Sequence, residues 1–121
     1  MAAIKRGTLE AITLAAKNTF PNEFLALLSS KKGKVVDEFV LLPSTYGRTY
    51  SSIRLDLLPY DSRVLGSVHS HPGPSASPSR GDLRAFKTLG EIHLIIAKPF
   101  NFGSVRAFDS AGKEVNLEVV E

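Results

Sequence analysis

The sequence contains no cysteine. That excludes a disulfide framework, a thiol nucleophile and every zinc site built on cysteine. Long apolar runs are missing as well, since the longest stretches, such as residues 24–28, are far too short to span a bilayer. The opening Met1-Ala2-Ala3-Ile4-Lys5-Arg6 carries a charge pair with no long apolar segment behind it, because Glu10 and Lys17 interrupt the next stretch. A signal peptide is therefore not expected, and a cytoplasmic location is. Runs of one charge sign are scarce. Lys31-Lys32-Gly33-Lys34 is the one basic cluster, the net charge is only +3, and the other cations are scattered. Such a balance permits a nucleic-acid partner without arguing for one, and neither nucleic acid nor membrane is expected as a partner. No internal repeat or linker interrupts the chain.

What remains suits a globular fold. A length of 121 residues points to a single domain over residues 1–121. Residues 8–19 place Leu9, Ile12, Leu14, Ala15 and Ala16 close to helical spacing, with Thr8 as N-cap and Pro21 just past the end. Residues 24–28 form a short continuous apolar run, the pattern of a strand buried on both faces. A turn comes next, then a strand over residues 35–42 that Pro43 closes. Residues 44–52 are polar and turn-rich, an expected exposed loop, and Ile53, Leu55 and Leu57 alternate with charges as a strand with one wet face. Another strand covers residues 64–71 and runs into a loop rich in proline, serine and glycine. Residues 79–89 read as a helix ended by Gly90, and residues 92–97, 105–108 and 115–119 as three closing strands. The expected fold class is α/β, a mixed β-sheet flanked by helices.

The chemistry concentrates in one stretch. His69-Ser70-His71 ends a predicted strand, and residues two apart on a strand share a face, so both imidazoles can converge. Pro72 stops the strand because it has no N–H to donate. A short loop brings the chain back to a helix whose first turn contains Asp82. Two His and one carboxylate, with a fourth position left open, is the arrangement of a catalytic rather than a structural zinc. Ser79 and Asp82 also read as a capping box for that helix. Both roles can coexist if Ser79 caps while Asp82 turns inward. The third histidine, His93, sits mid-strand and reads as structural.

His69-Ser70-His71-Pro72, six further residues, then Ser79-Arg80-Gly81-Asp82 resembles the signature of the JAMM (MPN+, or JAB-domain) metalloprotease family. That signature is His-x-His-Pro-x6-Ser-x-x-Asp with a Glu well upstream, and every fixed position is met. The first helix followed by Pro21-Asn22-Glu23-Phe24-Leu25 is similar to the family's opening helix and Glu-bearing strand. Ala26 and Ser30 stand where members often have Gly. The resemblance is to a small archaeal or bacterial single-domain member. It implies a JAMM/MPN fold related to the cytidine deaminases, whose own cysteine-ligated zinc this chain cannot build. It implies Zn2+ as cofactor, with His69, His71 and Asp82 as ligands. It also implies Glu23 as general base toward the zinc-bound water, then acid toward the leaving amine, and Ser79 as a stabiliser of the oxyanion.

The resemblance further implies an isopeptidase acting on ubiquitin-like modifier proteins, their conjugates or their C-terminal tails. Such a tail would suit a cleft beside residues 72–78, with residues 44–52 and their Tyr46 and Tyr50 as another wall. Two alternatives stay open: hydrolysis of a sulfur-carrier protein conjugate at the same site, and a non-catalytic scaffold of the same fold.

Overall fold

The chain opens on a strand, β1 (Ala2–Lys5), and turns at once into helix α1 (Arg6–Thr19), in a computed structural model that describes residues 2–31, 33–41 and 63–121. Leu9, Ile12, Thr13 and Ala16 form the buried stripe of α1 at spacings of one to four. Leu14 faces outward and is 58% exposed. The helix starts two residues before the expected Thr8 cap. Lys5 is the N-cap, and its side chain makes no capping hydrogen bond. Lys5 is instead held extended by pairing with Val120, so strand geometry fixes the helix start that a capping side chain fixes elsewhere.

Strand β2 (Leu25–Ser30) is buried as the apolar run implied: Ala26, Leu27 and Leu28 are all fully enclosed. The strand expected over residues 35–42 is two strands, β3 (Val35–Val36) and β4 (Glu38–Leu41), which belong to different sheets. Asp37 makes the corner, its N–H donating to Ser29 O at 3.1 Å and its carboxylate accepting the N–H of Lys31. Closure at Pro43, the loop at 44–52 and the strand around Ile53, Leu55 and Leu57 lie outside the described residues.

Strand β5 (Arg63–Ser70) ends one residue short of expectation, with His71 just beyond it. Helix α2 (Arg80–Phe86) ends three residues early, because Thr88 folds both its N–H and its hydroxyl back to Ala85 O at 3.0 Å. Strands β6 (Ile92–Ile96) and β7 (Val105–Phe108) come next, linked through a single 3-10 turn at Phe102–Ser104. The last expected strand is again two, β8 (Glu114–Val115) and β9 (Leu117–Val120), with the corner at Asn116.

Two sheets result. One runs β3-β1-β9 and is parallel throughout. The larger runs β4-β2-β5-β6-β7-β8, and only its β5–β6 pair is parallel. α1 and the small sheet cover one face of the larger sheet, burying Ile4, Leu9, Ile12, Leu28, Val68 and Leu94 among others. α2 covers the other face, with Phe86 on Ile95, Ala97 and Phe108. Each of the larger of these side chains contributes roughly 1.5–3 kcal/mol by leaving water. The β5–β6 approach is close at Gly66, where a Cβ would fall 1.6 Å from Ile92 O. Only glycine fits there.

This layout positions the site. A parallel pair needs a crossover, and here the crossover is the proline-rich loop plus α2. It brings the start of α2 back over the carboxyl ends of β5 and β6, the usual place for a ligand site in such sheets. Among the described residues no helix is long and apolar enough to cross a membrane.

Candidate active site

His69 and His71 sit on one face at the carboxyl end of β5, and their Nε2 atoms lie 3.0 Å apart. Asp82 Oδ2 completes a triangle, 3.2 Å from His69 Nε2 and 3.4 Å from His71 Nε2. Among the described residues no other group of three or more His, Asp or Glu is placed to hold a metal ion. His69 is almost fully buried, while His71 and Asp82 keep a partly open side. The histidine pair is therefore on one face, as the alternation of a strand requires.

Backbone groups orient these side chains. His71 Nδ1 lies 3.0 Å from Ser75 O, in the loop after Pro72. A carbonyl oxygen can only accept, so Nδ1 carries a proton; Nε2 offers a lone pair when the ring is neutral and donates to Asp82 when it is protonated. Asp82 is fixed from the helix side. Its Oδ2 accepts the N–H of Ser79 at 2.8 Å, while Ser79 Oγ accepts the N–H of Asp82 at 3.1 Å. The capping box expected from the sequence is complete. The same Oδ2 also faces the two imidazoles, so capping and convergence coexist on one atom.

Charge follows geometry. The hydrogen bond to Asp82 raises the His71 pKa against the opposing effect of burial, helped by the Ser75 carbonyl and by the charges of Asp82 and Glu23. Burial pushes the Asp82 carboxyl up, but hydrogen bonds from His69 and His71 outweigh it and hold the carboxyl well below its usual range. Both shifts mean that this cluster attracts positive charge. Three ligands at about 2.0–2.1 Å from a tetrahedral zinc lie about 3.3 Å from one another. The observed 3.0, 3.2 and 3.4 Å bracket that spacing. The donor set thus fits Zn2+ in both chemistry and size.

Glu23 lies in the link between α1 and β2 and is half-buried. The antiparallel register pairs Leu25 with His69, and Phe24 and Ser70 are hydrogen-bonded partners. Continued one step past the ladder, that register would bring Glu23 level with His71. The charge of Glu23 is felt at His71. Ser79 is exposed at the start of α2, its Oγ accepting from Asp82 and its O–H left to donate. All five residues singled out in the sequence are thus carried to one end of the larger sheet. His93 goes elsewhere. It is fully buried, stacked on Phe86 at 4.3 Å and bonded to Ser67 Oγ and Gly90 O. Sequence reading missed Ser75 and Ser70. Ser75 acts through its carbonyl, which no sequence displays, and the signal at Ser70 was only a hydroxyl at a strand end.

The profile of the prokaryotic homologues of the JAB domain matches residues 5–111. The chain belongs to the JAB (JAMM/MPN) family. A probable metalloprotease of Haloferax volcanii is 35% identical over 117 residues, covering 88% of this chain and 72% of that relative. A solved JAB1/MPN domain protein from Archaeoglobus fulgidus is 42% identical with a TM-score of 0.81, each chain fully covered. A second solved structure, described as a metalloprotease-like JAMM zinc site in the proteasome and signalosome, is 40% identical with a TM-score of 0.79. That match covers 100% of this chain and 99% of the other. The fold of this JAB-family chain, a mixed sheet flanked by two helices, agrees with both. The chain belongs to a metalloprotease family, and its His-His-Asp cluster is consistent with a Zn2+ site.

Proposed function

We propose that this metalloprotease is an isopeptidase that releases ubiquitin-like modifiers from their conjugates or trims their C-terminal tails, with His69, His71 and Asp82 as the zinc ligands. The reading takes residues 1–121 as one catalytic domain. It is carried by the convergence of three ligand atoms within 3.4 Å of one another, with the charge of Glu23 reaching His71. Bound Zn2+ supplies Lewis acidity toward the scissile carbonyl and lowers the pKa of the attacking water toward ~7.

The chain's own residues do the rest. Glu23 accepts a proton from the water as its oxygen bonds to the carbonyl carbon. Ser79 donates its O–H to the oxyanion that forms. When the carbon–nitrogen bond breaks, Glu23 returns the proton to the departing amine, leaving a carboxylate and an amine. A narrow, extended substrate suits the surroundings. β4 is the outer strand of the larger sheet among the described residues, and Leu41 pairs with Ala26, which also pairs with Val68, one step before His69. A tail laid on that edge by backbone pairing would run at the level of the site. The same site would serve for a sulfur-carrier conjugate, whereas a scaffold has no use for four converging polar side chains.

Zinc-loaded protein incubated with ubiquitin-like fusions and isopeptide conjugates from its own source tests the reading. Release of the modifier is expected, stopped by chelation and restored by zinc. Failure to cleave either substrate at full zinc occupancy would overturn it.

A further inference from the structure

Ser70 lies between the two histidines, 2% exposed, and alternation turns its side chain away from the face they share. Its neighbour across the β2–β5 ladder is Phe24, also 2% exposed. Partners in a hydrogen-bonded antiparallel pair exchange two bonds, each N–H donating to the other's carbonyl. Here one half is regular, Ser70 N–H donating to Phe24 O at 2.9 Å. The other half is not. Phe24 N–H donates at 2.7 Å to Ser70 Oγ. A side chain has replaced the main-chain acceptor at the last rung before the chain leaves the sheet. The next N–H, of His71, points to the other neighbour, β6, and donates to Ile96 O at 2.9 Å.

The donor in that rung is the N–H of the peptide bond joining Glu23 to Phe24. Glu23 itself lies in no helix or strand, and its position level with His71 depends on how firmly this peptide is tied to β5. The two bonds at Ser70 and Phe24 make that tie.

We propose that Ser70 is a positioning residue for Glu23: its hydroxyl anchors the Glu23–Phe24 peptide to the same strand that carries His69 and His71. The base and two of the zinc ligands then share one rigid frame, as small displacements from reactive geometry are expensive in rate. The proposal rests on Glu23 being the base. Because the Ser70 side chain points away from the imidazoles, removing its hydroxyl should leave zinc binding alone.

The test uses zinc-loaded protein and a ubiquitin-like fusion substrate. Ser70→Ala should keep one zinc per chain and an unchanged KM while kcat falls about ten- to hundred-fold. Amide hydrogen exchange at Phe24, followed by NMR, should quicken at least about tenfold as the buried bond opens more often. Ser70→Thr retains the hydroxyl and should restore both kcat and Phe24 protection. Should Ser70→Ala fail to fold, Ser70→Cys, with a weaker acceptor, should give a smaller loss in the same two readouts. Phe24 protection that does not change in Ser70→Ala, or a kcat that stays at wild type while protection is lost, would overturn the proposal. Glu23→Gln run alongside separates the two levels. If it retains turnover, the base assignment itself has failed; if it abolishes turnover while Ser70→Ala does not lower kcat, only the positioning role has failed.

Discussion

His69 and His71 present their Nε2 atoms to each other at 3.0 Å, with Asp82 Oδ2 beside both. Lone pairs do not approach so closely unless a proton or a cation lies among them. The expected resident is a single zinc per chain. Metal analysis after zinc loading should give one equivalent, and His69→Ala or His71→Ala should bring both zinc and peptidase activity to background. Thermal unfolding should show the ion as a stabiliser, by about 2.7 kcal/mol when free zinc is a hundredfold above its dissociation constant.

Asp82→Asn separates the two duties of one oxygen. The amide keeps an acceptor for the N–H of Ser79, so the helix start should survive in the metal-free protein. The loss of apo stability should stay under about 1 kcal/mol, the usual worth of a cap. Zinc affinity, read by competition with a chelator, should fall steeply because the charged ligand is gone. An apo protein that weakens while binding zinc as before would show that Asp82 only caps.

Glu23→Gln should retain zinc and fold. Glutamine has nearly the same size but cannot take the water's proton, so turnover should drop by the ~10²–10⁴ typical of a placed general base. Glu10→Gln and Glu38→Gln, at exposed and half-buried sites away from β5, are the matched controls and should stay near wild type. Zinc content measured on the same samples tells a lost base from a lost ion.

His93 should make stability depend on pH. Burial lowers its pKa below the ordinary value, against support from its contacts with Gly90 and Phe86, while His69 also lowers it and Asp109 raises it. The unfolded chain therefore binds more protons than the folded one between the depressed pKa and about 6.5. The contribution of neutral His93 is complete above about 6.5 and is lost as pH falls toward its folded pKa. Urea unfolding of zinc-free protein at pH 7.5 and 5.5 should show a larger acid loss for wild type than for His93→Gln. The titrations of His71 and Asp82 are common to both proteins and cancel in the difference. Equal losses would place the acid sensitivity elsewhere.

Much of the site was legible because its signal is local. Two same-face histidines, a strand-ending proline and a helix-start acid declare themselves by spacing alone, and β7 was read to the residue. What the sequence hid depends on partners far along the chain. Residues 35–42 look like one strand, yet Asp37 hands the chain from one sheet to the other, and Asn116 does the same near the end. A change of partner leaves no mark on hydrophobic alternation. Helix α1 started early for a related reason, since Lys5 is set by pairing with Val120 rather than by a cap. Leu14 fits an apolar pattern but points to solvent, because the buried stripe runs along Leu9, Ile12 and Ala16.

The proposed ligands reach the site by routes of very different length. His69 and His71 are two residues apart and can meet an ion in a chain with no tertiary structure at all. Asp82 requires the loop and α2 to close over the strand, and Glu23 requires β2 to pair with β5 across more than forty residues, as the Phe24–Ser70 separation of 46 shows. Contacts that distant form late in folding, after much of the loop entropy has been lost. Metal capture and proteolytic competence are therefore separable events. Any zinc held by an unfinished chain through its histidine pair would reduce the net gain from binding the folded form. If Glu23 is the base, it arrives only with the completed sheet, and a partly folded molecule would carry the ion without the means to cut.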